Sequence, residues 1–191
     1  MNEVTQTFIS AAKKALSQSR PGDWQHAERV VNWVRELSTS NLPERELIIK
    51  AAYIHDIGWK GIFPKTKTTI TKQELLENEP QANRNSNPFV TEFLLKLGHT
   101  KKDILTILKY IAAADRHESK DENDAIIVDA DNLSKLNINH VREKYDKKDW
   151  LEIFELLSSE LPVRFKLPKA KEVYNELLKQ LKQDIDKELI N

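Results

Sequence analysis

The sequence predicts an all-α protein on three observations. Apolar residues recur at three- and four-residue spacing through most of the chain. Glycine and proline are scarce, with 4 Gly and 7 Pro in 191 residues, so few positions break a helix. Charged residues make up 31% of the chain and hydrophobic residues 39%, a balance suited to amphipathic helices. No Pro/Gly/Ser-rich linker divides the chain, which predicts one domain over residues 1–191, with a core over about 10–136 and a C-terminal helical extension over 137–191 packed on it.

The elements follow in order. Phe8, Ala11, Ala12, Ala15 and Leu16 mark a first helix, and Ala27, Val30, Val31, Val34 and Leu37 a second. Between them Ser19-Arg20-Pro21-Gly22-Asp23 is a break, with Asp23 the expected N-cap, which sets His26 near the start of helix two. Pro43 opens a third helix through Ile48, Ala51, Ala52 and His55, with Gly58 as its stop. From Gly61 to Asn87 the periodicity weakens, and a long connection with one short helical piece around Gln73 to Glu77 is expected. Helices return at Phe89–Leu97 and, past Gly98 and Thr100, at Ile104–Ala114. Ala125-Ile126-Ile127-Val128 lacks helical alternation and could be a strand, although helix is preferred. Two amphipathic helices close the chain, separated by Pro162 and Pro168.

Composition excludes several function classes. Thirty basic and thirty acidic side chains leave no net charge, which argues against a general nucleic-acid or membrane binder. There is no cysteine, so a thiolate nucleophile and any sulfur-based metal site are excluded. The opening Met1-Asn2-Glu3-Val4-Thr5-Gln6 lacks a leader pattern and no stretch approaches a membrane span, so a cytoplasmic protein is expected.

Chemistry concentrates at His26, the doublet His55-Asp56, and Asp131. The doublet ends the apolar run Ala51-Ala52-Tyr53-Ile54, where burying an unpaired polar group costs several kcal/mol, roughly 2 to 7. Two imidazoles and two carboxylates from separate helices suit one divalent ion, Mn, Fe, Co, Ni, Zn or Mg, with open positions for water and a substrate oxygen.

In this order the residues resemble the H…HD…D signature of the HD-domain superfamily of metal-dependent phosphohydrolases. The matching pieces are His26 within Asp23-Trp24-Gln25-His26-Ala27-Glu28-Arg29-Val30, His55-Asp56-Ile57-Gly58, and Ala130-Asp131-Asn132-Leu133. The resemblance runs from about Ser10 to Leu136, and Lys166-Leu167-Pro168-Lys169-Ala170-Lys171 is similar to small stand-alone bacterial members. It implies an all-helical bundle that hydrolyses a phosphomonoester or nucleotide phosphate through a metal-activated water. Asp131 is preferred to Asp129 as ligand because it matches the motif and the two project to nearly opposite sides of a helix. Members with two metals usually carry a further histidine near Gln81–Ser86, and its absence here implies a single ion.

Further roles are expected of four residues. Asp56 and His117 are the candidate proton relays, and Arg29, one turn after His26, and Lys60 are the candidate phosphate binders. Lys65, Lys67 and Arg84 are weaker candidates of the same kind, Trp59 is a candidate base-stacking wall, and His99 and His140 are left outside the site. The expected partner is a small phosphate ester or nucleotide, without nucleic acid or membrane, and the amphipathic C-terminal helices allow a homodimer. A non-catalytic nucleotide-binding or signalling module of the same geometry is the alternative. A helical interaction protein docking through Val173, Leu177, Leu181 and Ile185 ranks below both.

Overall fold

The computed structural model describes residues 4–190, and among them the all-α expectation holds: nine α-helices and two short 3-10 turns, with no strand. The helices are α1 (Gln6–Leu16), α2 (Asp23–Leu37), α3 (Arg45–Ile54), α4 (Lys72–Lys96), α5 (Lys101–Arg116), α6 (Glu122–Lys135), α7 (Ile138–Lys144), α8 (Trp150–Arg164) and α9 (Pro168–Ile190). Their starts are chemically marked. Thr5, Thr100 and Asp121 each accept a backbone N–H from the first turn, and Thr71 with Glu74 forms a reciprocal capping box.

Helix α6 is the axis of the molecule. Every residue from Asp124 to Ser134 is buried, because α2, α5, α8 and α9 all pack against it. A helix covered on all sides has no reason to alternate, which explains why Ala125–Val128 reads ambiguously in sequence. Two apolar clusters meet here. One is built from α1 to α6, and the other gathers Leu133, Leu136, Trp150, Leu161 and the inner face of α9.

Three boundaries differ from expectation. The expected long connection shrinks to residues 61–71, because α4 begins at Lys72 and runs through both Pro80 and Pro88, prolines that had masked its periodicity. Asp23 is the first residue of α2 and not its cap. Gly22 fills that position at φ 71°, where a Cβ would lie 2.8 Å from Glu143 Cβ. Pro162 lies inside α8, and the Ser158 carbonyl it frees accepts from the Tyr174 hydroxyl at 3.5 Å.

The C-terminal stripe is intramolecular. Leu181 and Ile185 are buried, and Val173 and Leu177 pack against the same cluster, so the docking stripe is already covered. No helix among the described residues is long and apolar enough to cross a membrane.

Candidate metal centre

Three elements deliver the four sequence candidates to one point. Helix α2 carries His26 in its first turn, where its backbone N–H already bonds Gly22 O at 2.9 Å. After Ile54, α3 tightens into a 3-10 turn over His55–Trp59, buried throughout. Gly58 lets this turn press against α4, since a Cβ there would stand 2.3 Å from Ala82 O. Helix α6 contributes Asp131.

The geometry is tight. His26 Nε2 and His55 Nε2 are 3.1 Å apart. Asp56 Oδ2 lies 3.7 and 3.6 Å from them, and Asp131 Oδ1 lies 3.1 and 3.6 Å away. His26, His55 and Asp56 each bring a donor atom within 4.8 Å of the others, a grouping that could hold one ion.

The outer edges of both imidazoles fix which nitrogen faces inward. His55 Nδ1 bonds Ala52 O at 2.9 Å, which requires a proton on Nδ1. Ser134 Oγ donates to Asp131 O at 2.7 Å and therefore accepts from His26 Nδ1 at 3.0 Å. Both Nε2 lone pairs consequently aim at the same space between two carboxylates. Lone pairs so arranged repel unless a cation lies between them, so the donor set fits a divalent metal. In the metal-free chain a proton takes that part. Burial opposes charge on His55, but Asp56 and Asp131 outweigh it and push its pKa up to about 9. Burial and Lys144 hold His26 well below the ordinary range.

Cations surround the carboxylates. Arg20 Nη2 reaches Asp56 Oδ2 at 2.6 Å and Lys144 Nζ lies 3.3 Å from the same oxygen. Burial alone would raise Asp56, yet Arg20, Lys144 and the two histidines hold it well below the carboxylate range. Asp131 is treated likewise by Lys135, 2.7 Å from its Oδ2, and by the imidazoles.

The cluster lines a cavity of about 420 Å³ that opens between α4 and α8. His117 lines it too; it caps α5 at φ 54°, burial lowers its pKa to about 3, and its buried Nδ1 has no hydrogen-bond partner among the described residues. Other expectations are corrected. Arg29 is turned away, its Nη1 bonding Glu143 at 2.8 Å outside the cavity. Lys60 is exposed, 6.0 Å above the Phe89 ring, and neither it nor Lys65, Lys67 or Arg84 lines the cavity. Asp129 faces away from the cluster and accepts from the backbone N–H of Lys166 and Leu167, at 3.1 and 2.7 Å, just before α9.

Trp59 borders the cavity but is 5% exposed, with the Arg20 guanidinium 4.0 Å from its ring centroid and the Phe63 ring parallel to it at 6.2 Å between centroids, so the base-stacking wall expected of it offers little open surface.

Sequence reasoning missed Arg20, Asp115, His140 and Lys144. Asp115 lines the cavity, and burial, with Asp56 and Asp131 adding to it, pushes its pKa up to about 7. One pattern marks it, since Ile104, Leu108 and Ile111 lead to position 115 on the apolar face of α5. His140, set aside as exposed or capping, is buried with its ring 4.9 Å from that of His26. Nothing in sequence flags Arg20, which pairs with nearby Asp23 and with distant Asp56, or Lys144, whose partners Asp23 and Asp56 lie far along the chain.

The chain matches no family model, no curated protein and no solved structure.

Proposed function

We infer that the protein is a metal-dependent phosphohydrolase of the HD type, acting on a phosphomonoester or nucleotide phosphate. The observation that carries this reading is the pair of imidazoles locked by Ala52 and Ser134 so that both Nε2 lone pairs meet Asp56 and Asp131 on the floor of a cation-lined cavity. His26, His55, Asp56 and Asp131 would hold the ion. A bound divalent metal lowers the pKa of a coordinated water and polarises a phosphoryl oxygen.

The chain's own groups supply the rest. Arg20 offers a planar fork of donors to phosphate and can exchange Asp56 for it, while Lys144 and Lys135 neutralise the remaining charge. His117, neutral and with an unpartnered Nδ1, can hydrogen-bond the phosphoryl group. Asp115, a cavity carboxyl whose pKa stands at about 7, can pass a proton between the attacking water and the departing oxygen.

The test is elemental analysis of the purified chain coupled to phosphate release with Mn, Co or Ni, native against Asp56→Ala. Bound metal and turnover in the native chain, both lost in the variant, support the reading. A chain that takes up no divalent metal and gains no activity with any of the three overturns it.

One observation favours the non-catalytic alternative: Arg20 and Lys144 already neutralise Asp56, so the pocket could receive an anion without an ion beneath it. A melting temperature raised by a nucleotide that is never turned over would select that reading.

A further inference from the structure

Beyond the charged floor, the cavity changes character. Leu75 and Leu76 on α4 and Leu156 and Leu157 on α8 line it there, beside the polar Glu79 and Asn83 of α4 and Glu160 and Arg164 of α8. Leu76 is 50% exposed, an apolar side chain left at the mouth with no partner to cover it. The two large aromatic residues of the lining offer a base little surface: Trp59 is 5% exposed with Arg20 against its ring, and Tyr145 is 8% exposed with its ring against His140. Of the charged residues on these two helices, Arg164 and Glu160 engage each other.

We propose that the substrate is the monophosphate ester of an aliphatic alcohol, its phosphate on the cationic floor and its alkyl chain between the leucines of α4 and α8. This rests on the phosphohydrolase reading and narrows it. Apolar walls on two facing helices remove an alkyl chain from water, each buried methylene contributing about 0.8 kcal/mol, or roughly fourfold in affinity. A nucleoside would bring polar edges, part of which would be set against leucine, where unpaired polar groups are penalised. The reaction balances simply. Water oxygen bonds to phosphorus, the phosphorus–oxygen bond to the alkyl group breaks, and the water's proton goes to the departing alkoxide to give the free alcohol and inorganic phosphate.

The experiment has a binding arm and a turnover arm on the full-length chain. Butyl, hexyl and octyl phosphonates, which cannot be hydrolysed, are titrated calorimetrically beside AMP and ribose 5-phosphate. The matching alkyl phosphates and the same two competitors are assayed for phosphate release with metal present. Affinity and kcat/KM should rise about fifteenfold for each added pair of methylenes until the cleft is filled, and hexyl phosphate should exceed AMP by at least about tenfold. Leu76→Gln and Leu156→Gln, both at positions that are not fully buried, should flatten the chain-length slope. A flat slope in the native chain, or a preference for AMP or ribose 5-phosphate, overturns the proposal while leaving hydrolysis intact. A clear slope in phosphonate binding with no phosphate released from any ester supports the ligand class and overturns the reaction.

Discussion

Lys144 Nζ lies 3.3 Å from Oδ2 of Asp56, the oxygen that Arg20 also reaches at 2.6 Å. The same ammonium donates to Asp23, whose other contacts run back to Arg20, so two cations and two carboxylates form one buried network beneath the cavity. Removing one partner leaves a buried charge uncompensated. Lys144→Met should therefore destabilise the chain by about 3 kcal/mol, read as a lowered urea midpoint at neutral pH. An unchanged midpoint would mean that Arg20 alone satisfies both carboxylates.

Ser134 is expected to act on metal affinity through a ligand and not as one. Its hydroxyl accepts from His26 Nδ1, which keeps Nε2 free to face the ion. In Ser134→Ala that restraint is gone, and affinity for Zn or Mn should fall about 10- to 100-fold. Calorimetric titration of native and variant chains checks it, and equal affinities would show that ring orientation is set by packing alone.

Asp129 and Asp131 should separate cleanly. Asp129→Ala leaves the N–H groups of Lys166 and Leu167 without their acceptor and should cost about 2 kcal/mol, with metal stoichiometry unchanged. Asp131→Ala should lose metal. Elemental analysis and thermal melts on both variants decide the assignment, and metal lost from the Asp129 variant would reverse it.

Stability should fall with acid in a way that His117 helps to set. Its folded pKa of about 3 lies below the ordinary imidazole value of about 6.5, so between these the unfolded chain takes a proton that the folded chain refuses. The resulting loss begins as pH drops below about 6.5 and is complete near 3. Asparagine tolerates the positive φ at this position. His117→Asn should thus gain stability relative to the native chain as pH is lowered from 7 to 4, and parallel stability curves would contradict the assignment.

The candidate ligand cluster was legible in sequence because each of its members interrupts or ends an apolar pattern, and a polar side chain in such a place needs a partner. Helix α6 was preferred as a helix but stayed open to a strand reading, since a segment covered on every side shows no period. Helix α4 was hidden by Pro80 and Pro88, which lower helix propensity without preventing a helix that neighbouring elements support. The phosphate-binding expectation failed at Arg29 because one turn of helix preserves a face only approximately, and the offset is enough to bring it to Glu143 on α7. Arg20 and Lys144 were invisible for a different reason: a charge in sequence does not say which distant carboxylate will bury it.

Trp59, with the Arg20 guanidinium 4.0 Å from its ring centroid, makes the molecule its own spectroscopic sensor. The tryptophans at 24, 33 and 150 lie outside the cavity lining, so a change in indole emission on adding an anion would report on this ring. A guanidinium drawn off the indole face toward a phosphate alters the field across the chromophore, and the light emitted would record the arrival of ligand before any product is made.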